Sequence, residues 1–148
     1  MKILIMGVPG SGKTTYCRRE LKGGVVYDMD WIAAALSYEE HKTENLDLTG
    51  VHPPAARRLA NDLLSGFLAH AEDYSDRVLI VRTAPEISEL EQIDPDEIVI
   101  CKRPKAGRNL SDISLDRIVG RLMAAEEWAR EKGIPVKEKF NGDRWWED

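Results

Sequence analysis

Residues 7–14, Gly-Val-Pro-Gly-Ser-Gly-Lys-Thr, match the pattern GxxxxGK[ST] at every defined position. An apolar run, Ile3-Leu4-Ile5-Met6, leads into them, and a helix-compatible stretch to about Leu21 follows. No other feature constrains the chain as strongly. A polyphosphate needs several N–H donors converging on it, and only a glycine-rich turn brings backbone that close. A helix starting directly after the turn adds unsatisfied N–H groups and the positive end of its dipole. The pattern predicts a buried strand, a phosphate-binding loop and a helix. The expected contacts are Gly7, Pro9, Gly10, Ser11, Gly12, Lys13, Thr14 and Thr15. Lys13 is expected to reach the β- and γ-phosphates, Thr14 to ligate Mg²⁺, and Thr15 to approach the α-phosphate.

The rest of the chain repeats the strand–helix alternation. Gly23-Gly24 ends the first helix and leads into a strand, Val25-Val26-Tyr27, with a short helix expected from about Trp31 to Leu36. Residues 37–54 show little periodicity and read as a substrate-side excursion. Pro53-Pro54 then starts a helix, with Ala56, Leu59, Ala60, Leu63, Leu64, Phe67, Leu68 and Ala71 expected on one buried face. Val78–Val81 and Ile98–Cys101 are apolar strands, separated by a polar region around Pro85-Glu86. A final helix is expected over about 115–131, with Leu115, Ile118, Val119, Leu122, Ala125 and Ala129 inward, then a strand from Val136 to about Phe140. Short apolar strands between amphipathic helices predict a parallel sheet covered on both faces. With 148 residues, one domain spanning residues 1–148 is expected.

Two carboxylates follow the second strand directly, in Asp28-Met29-Asp30. Ligands of a parallel sheet gather at the carboxyl ends of its strands, so both acids belong to the edge that carries the phosphate loop. Transfer of a phosphoryl group to a hydroxyl needs a carboxylate to orient the hydroxyl and take its proton, and Mg²⁺ needs oxygen ligands. Asp30 is assigned as the acceptor-side base and Asp28 as the metal-side acid. A competing role for Asp30 is to cap the helix starting near Trp31.

The order strand, GxxxxGKTT, helix, strand, DxD resembles P-loop kinases of the nucleoside-monophosphate-kinase type. Shikimate and gluconate kinases, the kinase domain of phage polynucleotide kinase and zeta-toxin-like kinases look similar. So do short phage and prophage ATP-binding or AAA-type proteins, including a strand running into Thr-Ala-Pro as at Arg82-Thr83-Ala84-Pro85. The resemblance implies an α/β fold of the P-loop NTPase kind, a three-layer α/β/α sandwich with a five-stranded parallel sheet. It also implies ATP and Mg²⁺, and an acceptor hydroxyl on a small molecule, a nucleotide or a polynucleotide 5′ end. One departure stands out. Many P-loop NTPases carry a metal-side acid at the end of the third core strand, whereas Val78–Val81 runs into Arg82-Thr83-Ala84 with no acid before Glu86.

Lys102, Arg103, Lys105 and Arg108 surround Pro104 and Gly107, and Arg117 and Arg121 share a face of the last helix at i, i+4. The resemblance implies a short lid over 102–112, with Arg117 and Arg121 as the preferred contacts for developing phosphoryl charge. Trp145 or Trp146 is read as closing a core edge or as stacking on a base. A net charge of −5 argues against a protein that coats nucleic acid, though not against one that handles a single end. No apolar run reaches the roughly 20 residues of a membrane span. The two cysteines, Cys17 and Cys101, form no metal pair and are expected as reduced core thiols of a cytoplasmic protein. A second class of function stays open: an NTP-binding switch or accessory ATPase acting through a protein partner.

Overall fold

The computed structural model describes residues 1–37, 53–102 and 112–140, without the side chains of 112–114 and 140. Nearly all of the expected excursion and lid, and the Trp145–Trp146 pair, lie outside the described residues. The elements run β1 (Lys2–Met6), α1 (Lys13–Glu20), β2 (Val25–Asp28), α2 (Met29–Ser37), α3 (Pro54–Tyr74), β3 (Val78–Val81), α4 (Ile87–Ile93), β4 (Glu97–Lys102), α5 (Asp112–Lys132) and β5 (Val136–Phe140). The five strands form one sheet in the order β2-β3-β1-β4-β5, every pairing parallel. After β1 the chain winds to one side, through β2 and β3, then returns to the other side for β4 and β5. The loop after β1 therefore opens at the reversal point, where the carboxyl ends of parallel strands leave a crevice.

Alternation along the central strands divides the core in two. Leu4, Met6, Val78, Ile80, Ile98 and Ile100 face a cluster that includes Leu64 and Ala71 of α3, Leu90 and Ile93 of α4, and Ala125, Trp128 and Ala129 of α5. Ile3, Ile5, Leu79, Val81, Val99 and Cys101 face the other way, where Tyr16 and Cys17 of α1 cover them. The sheet is thus a middle layer between helices, as the apolar runs imply. Each fully buried aliphatic side chain stabilises by about 1.5–3 kcal/mol, so the central strands carry much of the folding free energy.

Three expectations need correction. A helix, α4, occupies the segment read as merely polar. Its signal was present: Glu86 and Glu89 form a reciprocal capping box, and Leu90 and Ile93 are buried. α2 starts at Met29, directly against β2, rather than at Trp31. The inner faces of the long helices are narrower than periodicity suggested. Leu59 and Leu63 stay about half exposed on α3, Leu115 and Val119 are somewhat less exposed on α5, and Trp128 is buried. α3 packs on α2 through small residues, Ala56 and Ala60 against Ala33. Close approach of two helices covers only a thin stripe of each.

The Tyr27 side chain fastens α3 to the sheet. It is buried, its hydroxyl donates to the Ala60 carbonyl, and its ring lies 5.4 Å from Phe67. Tyr27→Phe keeps the ring and removes that bond. It is expected to lower unfolding free energy by about 1 kcal/mol, read from the urea midpoint.

Candidate functional site

The loop after β1 is tied to the segment beyond β3 and closed on itself. The Gly7 amide donates to the Thr83 carbonyl beyond β3 (3.1 Å), and the Ser11 amide donates to Val8 O (3.1 Å). Gly7 has φ +153°, and a Cβ there would lie 2.3 Å from the Cys101 carbonyl oxygen of β4 and 2.6 Å from Ser11 Oγ. Only glycine lets the loop sit this deep between β1 and β4. Gly12 stands at the N-cap of α1 with φ 95° and provides no side-chain cap, so the first turn, Lys13-Thr14-Thr15, has no side-chain partner at its N-cap. Ser11 is buried, and its hydroxyl has no hydrogen-bond partner among the described residues.

Lys13 folds back over this loop. Its Nζ donates to Gly7 O (2.7 Å) and Val8 O (3.0 Å). Burial pushes its ammonium down from 10.5 to about 8, against an upward pull that includes the Asp28 and Asp30 carboxylates. The Cys101 thiol also acts on Lys13, but burial raises its own pKa to about 11, so near neutral pH it is uncharged. Cys17, raised to about 12 chiefly by burial, is likewise a neutral thiol. The carboxylates and the Gly7 and Val8 carbonyls therefore offset the loss of water around Lys13.

The acidic turn reaches the same edge through β2, whose last residue, Asp28, is in register with Val81 of β3. Asp28 Oδ1 accepts the Asp30 amide (3.1 Å) at the start of α2. The capping role weighed for Asp30 thus falls to Asp28, because α2 begins two residues earlier than expected. Asp30 lies in the first helical turn and is exposed. Lys13, Asp28 and Asp30 are brought together. Arg121 instead pairs with Glu86 (3.1 Å), the N-cap residue of the helix that follows β3. Arg117, one turn earlier on α5, is exposed. Lys102, the first residue of the basic segment, pairs with Glu138 of β5 (2.6 Å) and holds that carboxyl below its ordinary range.

Sequence reading did not single out Arg82, Glu89 and Met29. Arg82 directly follows β3, at the place where an acid was missing. Its guanidinium pairs with Glu89 of α4 and donates to Met29 Sδ (3.0 Å). The Glu86–Glu89 capping spacing was the available hint, since it sets a carboxylate one turn into a helix just beyond Arg82.

The site has features that suit a magnesium nucleotide. The cradle closes if Gly7 gains a side chain, a buried hydroxyl lacks a partner, and an ammonium is held across the loop on carbonyls it can exchange for phosphate oxygens. Thr14 and Asp28 carry oxygen donors of the hard kind that a divalent ion takes.

No protein-family model and no curated protein matches the sequence. Among solved structures, the chain is similar to a chain of the Pnkp1/Rnl/Hen1 RNA repair complex, with TM-score 0.58 and 16% identity over 85% of this chain and 45% of that one. This chain thus spans less than half the length of that neighbour. An unliganded sugar kinase from Janibacter sp. HTCC2649 is more distant, with TM-score 0.43 and 18% identity over 82% of this chain and 65% of that one. At these identities the likeness concerns fold. Together with the strand order, it defines a P-loop NTPase-like α/β domain. No helix among the described residues is long and apolar enough to cross a membrane.

Proposed function

We propose that the chain is a kinase that moves the γ-phosphate of ATP onto a hydroxyl. The observation that carries this reading is the convergence of a loop-anchored lysine and two carboxylates at one sheet edge. Lys13 bonds the loop carbonyls and feels Asp28 and Asp30. In this reading Gly7–Thr15 hold the phosphates, and Lys13 exchanges its carbonyl partners for β- and γ-oxygens. Thr14 and Asp28 would hold Mg²⁺, which when bound neutralises charge on the phosphate oxygens. Asp30 accepts the proton of the acceptor hydroxyl as its oxygen bonds to the γ-phosphorus, and ADP leaves with the bridging oxygen. Arg121 and Arg117 are the candidates for closing over the transferred group, with the segment 102–112 as a lid. Residues 1–148 are read as one catalytic domain, with 37–54 shaping the acceptor side.

The second reading, an NTP-binding switch or accessory ATPase, draws on Arg82 standing where many NTPases carry an acid. Labelled phosphate transfer to oligonucleotide 5′-hydroxyls, nucleosides and sugars separates the two. The likeness to an RNA repair complex makes the oligonucleotide the first acceptor to test. Asp30→Asn is expected to lower transfer by roughly 100-fold or more while ATP affinity stays within about threefold. Slow hydrolysis that is indifferent to Asp30→Asn, with no transfer, decides for the switch.

A further inference from the structure

The segment after β3 touches β1, the start of the phosphate loop, α4 and the acidic turn. The Arg82 amide donates to Ile5 O of β1 (3.0 Å), and the next carbonyl, Thr83 O, accepts the Gly7 amide. These backbone bonds tie the segment to the phosphate loop. The Arg82 side chain runs the other way. It is largely buried, pairs with Glu89, and donates to the sulfur of Met29, the residue between the two acids. Glu89 is itself held, because its Oε1 accepts the Glu86 amide in the capping box (3.4 Å). A side-chain link thus runs from α4, through one guanidinium, to the acidic turn.

We propose that Arg82 is a positioning residue, a bracket that fixes Asp28 and Asp30 against the phosphate loop through Met29 and Glu89. A thioether is a weak acceptor and gives little energy by itself. The planar, always charged guanidinium makes the contact useful: Glu89 holds one nitrogen, so the other is aimed. Lysine cannot do both, having one nitrogen on a flexible stem. The acids sit at a β2–α2 junction with no intervening loop, so a small rotation of α2 displaces Asp30 relative to Asp28, which β2 holds. A misplacement of about 1 Å at a reacting group can lower a rate by about 100-fold. An arginine where an acid was expected then has a use: it orients the strand-two acids.

The kinetic arm rests on the kinase reading, and the second arm does not. Arg82→Met is expected to lower kcat for transfer at least tenfold, with the ATP Kd within about twofold and the fold retained. Arg82→Lys is expected to recover part of the loss. By NMR amide exchange, the Asp30 amide, held by the Asp28 carboxylate, is expected to exchange at least fivefold faster in Arg82→Met. The Ile98 amide, held by the Pro135 carbonyl away from this segment, should keep its rate and serves as the internal control. An Asp30 amide that does not change overturns the bracket. So does an unchanged kcat, or a kcat loss matched by an equal loss of ATP affinity. If the wild type transfers phosphate to no acceptor, the kinase reading falls, and the exchange measurement alone decides the role of Arg82.

Discussion

Lys13→Met is expected to weaken MgATP binding by about 100-fold or more and to leave the unliganded protein folded. The loss follows from removing a charge-assisted donor from the phosphates, worth about 1.5–3 kcal/mol per bond. The retained fold follows from burial: the wild-type ammonium sits where its charged form is disfavoured, with its pKa down at about 8 instead of 10.5. Methionine has a similar reach and no charge to desolvate, so the melting temperature at pH 7 should hold or rise. The pH dependence has a definite sign. Between about 8 and 10.5 the unfolded chain keeps a proton that the folded chain has released. Wild-type stability should therefore gain from Lys13 as pH rises through that window, and lose that gain as pH falls back through about 8. The variant should lack this component. ATP affinity should behave oppositely, falling as pH passes above about 8, because phosphate binds the charged form. Calorimetric titrations at pH 7 and 9, beside thermal melts, check all of these. Undiminished MgATP affinity in Lys13→Met removes the basis of the phosphate-loop reading.

The second large effect concerns packing. Gly7→Ala would place a methyl 2.3 Å from the Cys101 carbonyl and 2.6 Å from Ser11 Oγ, at a positive φ. The serine hydroxyl can turn away. The carbonyl is far less free, because Cys101 belongs to β4 and is in register with Lys139 of β5. Overpacking and backbone strain of this kind each cost about 1–3 kcal/mol. A drop of roughly 10 °C in melting temperature is expected, with loss of nucleotide binding. Gly66→Ala and Gly120→Ala provide the contrast. Both glycines lie within long helices, and an added methyl at either meets nothing within 4 Å. Each should stabilise by about 0.5–1 kcal/mol. If Gly7→Ala melts like the wild type, the loop does not pack as described.

The composition of residues 3–14 alone required a buried strand, a glycine turn and a helix, because few other arrangements satisfy four apolar residues followed by three spaced glycines and a lysine. The strands were legible for the same reason: runs such as Val78–Val81 are too short for helices and too apolar for the surface. Their parallel pairing followed from the helices between them. The adjacency of Asp28 and Asp30 to the loop was also readable, since parallel strands present their carboxyl ends on one edge. These inferences use only local pattern and the geometry of a strand–helix repeat.

Contacts between elements distant in the chain were settled by tertiary packing. The order β2-β3-β1-β4-β5 depends on which strand fills the place beside β1, which local pattern does not encode. The exposure of Leu59 and Leu63 depends on α2 meeting α3 through alanines, so that helical period overstated the buried face. The link from Glu89 through Arg82 to Met29 joins two helices, α4 and α2, through a residue just beyond β3. In the sequence it appeared only as a missing acid, because a side chain's partner is fixed by the fold around it and not by its neighbours along the chain.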